Sequence, residues 1–350
     1  MESNQLNKRQ ILSTVAFCLV LVIAGTMFLI PIPYYVVSPG SAEDVSPFVK
    51  VEGGKSREEG DFYLTTVSMR EGRLFDYFYD KWSDSVQLVP EEKVLAQNES
   101  EEDYERRQAE SMSSSQNHAI VAAYRYANRP VRVEVKGVEV LRLASDWPSV
   151  LKEGDLITGI DRQPVQSVEQ LARYLGMKRA GETVQLLVRR NHAQEKLTVK
   201  LHPLTQAEGM PQKAGLGIVP VLKTEIHTSP PADIDSNEIG GPSAGLMFSL
   251  EVLNRLQPED LTRGHQIAGT GTITESGQVG QIGGIQFKIM AAAKKGVDIF
   301  LCPADSGPYD QNEKIAKETV KKYNYAMEVV PVHSLEEAVQ YLKRLPSRKH

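Results

Sequence analysis

The segment of this chain best suited to chemistry is the hexapeptide Gly-Gly-Pro-Ser-Ala-Gly at 240–245. Ser243 begins an apolar helical pattern there, after glycines that let a substrate carbonyl approach the backbone. The free N–H groups and the positive end of such a helix can stabilise an oxyanion. We expect Gly240, Gly241 and Ser243 to supply these backbone contacts. The alternative interpretation is a helix-capping serine without chemistry.

A serine hydroxyl is a weak nucleophile unless a base takes its proton. Lys288 follows the glycine turn at 283–284 and has apolar neighbours. A lysine that is desolvated there has a lowered pKa and can act as a neutral general base. Alone, a lysine on an amphipathic helix is usually a surface residue, but its pairing with Ser243 favours the catalytic interpretation.

A second set of residues could provide the base. The Gly-x-Ser-x-Gly spacing around Ser243 matches the nucleophile elbow of α/β-hydrolases, with Asp298 or Asp305 and then His333 in the required order. That elbow needs a hydrophobic strand immediately before the serine. The preceding residues, Asp-Ser-Asn-Glu-Ile at 235–239, lack strand character. Lys288 is therefore the favoured base.

An α/β pattern from Gly215 onward must position these residues. It predicts strands over 218–222, 266–273, 298–302 and 328–332, helices over 242–256 and 286–295, and a last helix that begins at Ser334 with Glu337 as its capping-box partner. In the earlier part, residues 34–51 and 61–69 are predicted to be extended, 91–115 a solvated acidic helix or loop, and 115–127 a helix.

Residues 131–203 form a module with a different pattern of predicted strands and helices. Short strands are predicted over 131–135, 138–143, 156–160, 183–189 and 197–201, with one helix over 168–175 behind Ser167. The segment 153–161 and the helix after it resemble a PDZ domain, a fold that binds extended peptides at a sheet edge. The resemblance places the carboxylate-binding end at 144–149, where the usual Gly-Leu-Gly-Phe-like loop is missing.

The N-terminus carries an uncharged apolar run of membrane-spanning length at 11–30. Such a helix can cross the hydrocarbon layer, which is about 30 Å thick. Lys8 and Arg9 precede the run, and the next basic residue is Lys50, so the positive-inside rule keeps residues 1–10 in the cytoplasm and exports the rest. A cleaved signal peptide is the alternative, but the run is long and lacks a small-x-small site.

Three motifs from Gly215 onward resemble the proteolytic domain of Lon proteases: Gly-Pro-Ser-Ala-Gly at 241–245, Ala-Gly-Thr-Gly-Thr-Ile at 268–273, and the segment 280–288 that ends in Lys288. The resemblance implies Ser243 as nucleophile, Lys288 as general base and Thr270 as the hydroxyl that helps to hold the lysine. One departure is Gly240, because Lon proteases usually have an aspartate there.

The predicted membrane anchor at 11–30 and the PDZ-like module together make the chain resemble one group in particular, the membrane-anchored, PDZ-containing Lon-like proteases of Gram-positive bacteria. The implied fold is an α/β (α+β) Lon-type proteolytic domain with an inserted β-rich PDZ-like domain and one N-terminal transmembrane helix. The protease domain then comprises residues 34–129 and 206–350, and the PDZ-like domain residues 130–205. By analogy, homo-oligomerisation as a hexameric ring is expected.

Composition excludes several other classes of protein. The net charge of −5 over 350 residues gives no basic face for nucleic acid. Two cysteines, Cys18 and Cys302, provide neither a disulfide framework nor a metal site. The tripeptide Gly-Lys-Ser at 54–56 lacks the first glycine of a P-loop, because Val49 stands in its place. We therefore expect no metal, no cofactor and no ATP.

These observations together predict an ATP-independent, membrane-anchored serine endopeptidase that acts outside the cytoplasmic membrane. Its substrates would be small secreted or membrane-associated proteins and peptides, which the PDZ-like domain selects. The alternative function is a non-catalytic, membrane-tethered PDZ adaptor. The simultaneous presence of Ser243, Thr270 and Lys288 favours the enzyme.

Overall fold

The computed structural model of the chain describes residues 8–54, 59–96, 99–143, 149–204, 213–236 and 239–348. Up to residue 126 the elements are α1 (Lys8–Met27), β1 (Pro31–Asp44), β2 (Val49–Val51), β3 (Asp61–Arg73), α2 (Leu74–Tyr79), β4 (Gln87–Pro90), α3 (Glu91–Val94) and α4 (Glu101–Tyr126). The middle of the chain forms β5 (Val131–Leu143), β6 (Leu156–Ile160), β7 (Gln163–Pro164), α5 (Val168–Gly176), β8 (Thr183–Arg190), β9 (Ala193–Lys200), β10 (His202–Pro203), β11 (Ala214–Gly215) and β12 (Ile218–Thr228).

The remaining elements follow the middle module. They are β13 (Ala232–Ile234), α6 (Gly245–Leu256), β14 (Gln266–Gly269), β15 (Thr272–Ile273), β16 (Val279–Gly280), α7 (Ile285–Lys295), β17 (Ile299–Pro303), α8 (Asn312–Tyr323), β18 (Glu328–Val332) and α9 (Leu335–Arg344). Short 3-10 helices occupy Ser46–Phe48 and Pro242–Ala244.

A mixed sheet joins the residues before the middle module to those after it. Its strand order is β18-β17-β14-β3-β1-β4. Strands β3, β14, β17 and β18 are parallel, whereas β1 is antiparallel to both β3 and β4. Because β3 lies directly beside β14, the two parts of the chain form one sheet, and the module lies between them in sequence.

Helix α6 is the centre of the larger hydrophobic core. Leu246, Met247, Phe248, Leu250 and Leu253 are fully buried. An apolar surface around most of the helix is typical of a helix that is enclosed by other elements. Helix α4 and the sheet pack in the same core as α6. The start of α6, where Ser243 lies, is therefore held on a rigid support.

The middle module has a sheet and a core of its own. Its antiparallel strand order is β12-β5-β6-β8-β9, with β7 beside β6. The buried residues of these strands and of α5 form a separate hydrophobic cluster. Ser167 caps α5 by accepting a hydrogen bond from the Gln170 amide at 3.0 Å, as its position predicts.

The end of the module differs from the sequence prediction. Strand β12 was predicted as the first strand of the later α/β part, but it pairs with β5 along its whole length, from Ile218 opposite Leu143 to Thr228 opposite Val131. The module therefore extends to residue 228. The composition of β12 indicates a strand but does not encode its partner, which is why the predicted boundary near 205 was wrong.

The helix alternative for the acidic segment 91–115 is confirmed over most of its length, because α4 begins at Glu101 behind Ser100, whose hydroxyl accepts from the Asp103 amide at 3.1 Å. Two element predictions need correction. The strand predicted over 266–273 is divided into β14 and β15. Helix α1 ends at Met27, and the chain becomes extended at Pro31.

Candidate active site

Ser243 lies in the 3-10 helix Pro242–Ala244, which leads directly into α6. Gly241 precedes it with φ +89°, a conformation that side chains other than glycine rarely adopt. The Ser115 hydroxyl of α4 donates to the Pro242 carbonyl oxygen at 2.9 Å. The turn that carries the serine is thus fixed from the α4 side.

Lys288 and Ser243 are in direct contact. The Lys288 Nζ lies 2.9 Å from the Ser243 Oγ and 2.6 Å from the carbonyl oxygen of Thr65 on β3. Lys288 is in the first turn of α7, which begins after Gly284 in the left-handed conformation. A separation of 2.9 Å is within the range for proton transfer between a serine and its base. The structure therefore brings together the two residues that the sequence predicted as nucleophile and base.

Burial controls the charge of Lys288. The residue is 3% exposed, and desolvation lowers the pKa of its ammonium group to about 8. Burial has this direction because it disfavours the charged form of a lysine. With such a pKa, roughly a tenth of the lysine is neutral at pH 7, and half of it near pH 8.

Thr270 contacts the backbone of Ser243. Its hydroxyl donates to the Ser243 carbonyl oxygen at 3.0 Å, and the amide of Gly271 donates to the same oxygen at 2.8 Å. These bonds hold the nucleophile's own peptide unit. The predicted role of Thr270 in holding the lysine stays a prediction. The contact that does hold the ammonium group, to the Thr65 carbonyl, was missed because backbone acceptors have no residue signature.

The oxyanion contacts differ from the prediction at Gly241. Its amide already donates to the carbonyl oxygen of Gln108 on α4 at 3.0 Å, so it is not available to a substrate in this conformation. The Ser243 amide lies in the first turn of the 3-10 helix, where amides have no intrahelical acceptor. The Ser243 amide is therefore the better oxyanion donor, and the role of Gly240 stays a prediction.

The space around Gly240 is narrow. A Cβ atom at this position would lie 3.0 Å from the Cβ of Gln108. A larger residue in place of Gly240 would thus need this neighbour on α4 to shift by a few tenths of an ångström.

The pair lies in a groove of about 1140 Å³. Strand β3 forms one wall: β14 pairs with it only over Asp61–Leu64, so from Thr65 onward this edge of β3 has no strand neighbour among the described residues. Helix α4 forms another wall with Tyr104, Gln108 and Met112. These α4 residues were not predicted from the sequence, although their four-residue spacing places them on one helix face.

The α/β-hydrolase alternative is not supported by the geometry. Asp298 accepts from the Gln266 amide at 3.1 Å. Asp305 accepts from the Glu313 amide at 3.0 Å, at the start of α8. The His333 Nδ1 lies 3.0 Å from the Glu337 carboxylate. Each of these groups contacts a structural partner, whereas the base in contact with Ser243 is Lys288.

A second groove of about 200 Å³ lies in the middle module between α5 and the segment 213–218. Its walls include Leu171 and Leu175 of α5 and the tetrapeptide Gly-Leu-Gly-Ile at 215–218. Strand β12 begins at this tetrapeptide and is the terminal strand of its sheet, so one of its edges is unpaired among the described strands.

Comparisons with known proteins assign both parts of the chain. Residues 110–201 match the PDZ domain family, and residues 219–344 match the Lon protease (S16) C-terminal proteolytic domain. The chain combines a PDZ domain with a Lon-type serine peptidase domain. The PDZ match begins inside α4, although this helix packs in the core of the Lon-type domain.

Individual Lon proteases agree with the assignment of the later part of the chain. The Lon protease of Mycoplasmopsis agalactiae is 30% identical over 131 residues, which are 37% of this chain and 12% of that protein. The Lon protease of Endomicrobium trichonymphae is 27% identical over 148 residues, or 42% of this chain and 17% of that protein. The chain thus spans less than a fifth of the length of these relatives. The PDZ domain of the SdrC-like protein from Listeria monocytogenes is 32% identical, covering 26% of this chain and 93% of that structure, with a TM-score of 0.24.

The predicted carboxylate end of the PDZ domain, at 144–149, stays a prediction. Residues 144–148 of the predicted loop lie outside the described residues, and so do Lys55 and Ser56 of the incomplete P-loop. A sequence similar to Gly-Leu-Gly-Phe, namely Gly-Leu-Gly-Ile, lies at 215–218 beside α5. It was not predicted as part of the module, because the predicted module ended at 203, before β11 and β12.

Proposed function

We propose that this chain is an ATP-independent serine endopeptidase with a Ser243–Lys288 dyad. The observation that carries the proposal is the 2.9 Å contact between the Lys288 Nζ and the Ser243 Oγ at the bottom of an open groove. The burial of Lys288 supports it, because a lysine with a pKa of about 8 is a usable base near neutral pH.

The proposed reaction has two stages. The neutral Lys288 amine takes the Ser243 hydroxyl proton while Oγ bonds to the peptide carbonyl carbon, and the Ser243 amide stabilises the oxyanion. The resulting ammonium gives its proton to the leaving amine, which breaks the C–N bond and leaves an acyl-enzyme. Lys288 then takes a proton from water, whose oxygen attacks the ester, and returns it to Ser243.

The free edge of β3 is the proposed substrate-binding element of this groove. An extended peptide can bond to the backbone of an unpaired strand edge without a particular side-chain sequence. This edge starts at Thr65, whose carbonyl oxygen contacts Lys288. A peptide bound along β3 therefore passes beside the dyad, and substrates must be short, extended or already unfolded.

The PDZ domain is the proposed substrate selector. The unpaired edge of β12 can accept an extended peptide, and the amides of the loop at 215–218 can bind a terminal carboxylate. A substrate that is held there has a raised effective concentration at the dyad. The PDZ groove is lined by the side chains of Leu171, Leu175 and Leu216, which favour an apolar C-terminal residue in the substrate.

Helix α1 supports the proposed location at the cell membrane. It spans 20 residues, or about 30 Å, and its apolar side chains are exposed. With Lys8 and Arg9 on the cytoplasmic side, the peptidase and PDZ domains lie outside the membrane. Substrates would then be small secreted or membrane-associated proteins. The hexameric ring stays a prediction.

The proposal is tested with the full-length chain in detergent and a library of quenched fluorogenic peptides. We expect cleavage without nucleotide, and no increase when ATP and Mg²⁺ are added. An adaptor without activity would bind peptides through its PDZ domain but release no fluorescence. Cleavage that requires ATP would contradict the proposed mechanism.

Excision of the PDZ domain should separate selection from catalysis. Thr228 pairs with Val131, and the Ser229 amide donates to the Pro130 carbonyl at 3.2 Å, so a short Gly/Ser linker can replace residues 131–228. We expect the shortened chain to keep its cleavage of small peptides. Cleavage of PDZ-docked protein substrates should fall by about 10²- to 10⁴-fold, because the docking site is lost.

The matched control removes only residues 131–203. This deletion leaves β12 without its partner β5, and we expect it to lower the melting temperature or prevent folding. Loss of folding in the 131–228 variant would show that the module is part of the catalytic fold. Unchanged cleavage of the protein substrates would show that the module is not a selector.

A further inference from the structure

Helix α2 and the residues after it present an unusual concentration of exposed aromatic side chains. Tyr77, Phe78 and Tyr79 are 39–45% exposed, and Trp82 is 88% exposed. Large aromatic side chains are usually buried in a water-soluble domain, and contiguous exposed apolar patches mark interaction surfaces. We define these four residues as the aromatic face.

The aromatic face lies beside the outer end of α1. The Leu74 amide donates to the Ile30 carbonyl at 2.9 Å. The ring of Phe28 stacks on Phe75 at 4.4 Å between centroids, and Phe75 stacks on Tyr79 at 5.7 Å. A span that enters the membrane near residue 11 leaves it near residue 30. The aromatic face is therefore at the depth of the outer membrane–water interface.

The side of α2 that faces the protein is fixed by charged groups. The Asp76 side chain is 4% exposed, accepts two hydrogen bonds from Arg70 of β3 at 2.7 and 2.8 Å, and accepts a third from the Arg73 amide. This arrangement holds the pKa of Asp76 below its usual range, mainly through the Arg70 hydrogen bonds. The Asp76 carboxylate is thus turned inward and paired.

The remaining charges around the aromatic face are compatible with a lipid surface. Lys81 lies over the Tyr77 ring, with its Nζ 4.7 Å from the centroid. Asp80 accepts from the Leu88 amide at 3.0 Å, and Asp84 is paired with Lys322 at 2.5 Å. Tyrosine and tryptophan are enriched at membrane interfaces because one end of the ring is apolar and the other can stay hydrated.

We propose that α2 and Trp82 dock into the outer interface of the same bilayer that α1 spans. The ligand of this surface is the phospholipid headgroup and acyl-chain boundary. The inference rests on the proposed membrane anchor. Docking would orient the catalytic groove: β3 runs from Thr65 in the groove to Arg73 at α2, a distance of about 26 Å at about 3.3 Å per residue. A tether alone would leave the tilt of the domain free, whereas a second contact fixes it.

The test uses the full-length chain in phospholipid vesicles. The sequence contains two tryptophans, Trp82 and Trp147. Trp147→Phe makes Trp82 the single reporter, and Trp82→Phe is the matched control that reports on Trp147. We expect lipids brominated near the headgroup end of the acyl chain to quench Trp82, and vesicles to shield Trp82 from iodide in the water.

Three results would overturn the inference. Quenching of Trp82 by iodide and not by brominated lipid would place it in water. Shielding from both quenchers would indicate a covering protein surface. A chain that does not float with the vesicles would contradict the anchor and this inference together. Hydrolysis of a soluble peptide in the same samples reports on the proposed peptidase separately, because it depends on Ser243 and Lys288 and not on lipid contact.

Discussion

Replacement of Ser243 by alanine should reduce kcat/KM for peptide hydrolysis by about 10⁴-fold or more, because the acyl-enzyme cannot form without the nucleophilic oxygen. The folded state should be nearly unchanged. Ser243 contributes its side chain to one contact with Lys288, and the carbonyl that accepts from Thr270 and Gly271 remains. Peptide hydrolysis and the melting temperature of purified protein are the measurements.

Ser249→Ala is the matched control. Ser249 lies on α6, the helix that follows Ser243, is fully buried, and its hydroxyl donates to the Gly245 carbonyl at 2.9 Å. The chemical change is identical, but the residue does not contact the dyad, so activity should be kept. Substantial activity in Ser243→Ala, with none lost in the control, would remove Ser243 from the mechanism.

Lys288→Met should have two opposite effects. Hydrolysis should fall by about 10³-fold, because a positioned general base contributes about 10²- to 10⁴-fold. Stability at pH 7 should rise by about 3 kcal/mol, because the desolvation that lowers the pKa of Lys288 from 10.5 to about 8 is a cost of folding the charged form. Denaturant unfolding of both proteins measures this difference.

The pH dependence of the stability difference follows from the same shift. Below pH 8 the lysine is charged in both folded and unfolded states, and the folded state bears the full desolvation cost. Between pH 8 and 10.5 the folded lysine is neutral while the unfolded lysine is still protonated, so the wild type regains stability as pH rises. The advantage of Lys288→Met should therefore disappear above pH 10.5.

Two controls separate these effects from a general loss of charge. Lys294→Met changes an exposed lysine on the same helix and should alter neither activity nor the pH dependence of stability. The double variant of Ser243→Ala and Lys288→Met should be about as inactive as Ser243→Ala alone, since residues that act as a unit do not contribute additively. A further large loss in the double variant would contradict a shared step.

The sequence predicted that Ser243 and Lys288 act together because both lie in motifs that resemble the proteolytic domain of Lon proteases, and each also has a local pattern. Ser243 follows glycines at the start of an apolar helix, and Lys288 follows a glycine turn among apolar neighbours. The strands at 156–160 and 328–332 were also predicted with their observed bounds. Hydrophobic periodicity and capping residues are local, so they can be recognised in a single sequence.

The missed features depend on contacts between distant segments. The Thr65 carbonyl that holds Lys288 is 223 residues away in the chain, and the Gln108 carbonyl that occupies the Gly241 amide belongs to an acidic segment that was predicted to be solvated. The pairing of β12 with β5, which extends the PDZ domain to residue 228, is likewise a contact between distant segments. Backbone acceptors and strand partners are chosen by tertiary packing, which residue types alone do not specify.

The pH dependence of kcat/KM tests the central claim, a neutral Lys288 acting as the base for Ser243, most directly. Values of kcat/KM for a peptide without titratable side chains are measured from pH 6 to pH 10 with wild type and Lys294→Met. Because only the deprotonated amine can accept the serine proton, the rate should rise about tenfold per pH unit below pH 8 and level off above it. A rate that is independent of pH across this range, or that falls as Lys288 loses its proton, would contradict the dyad.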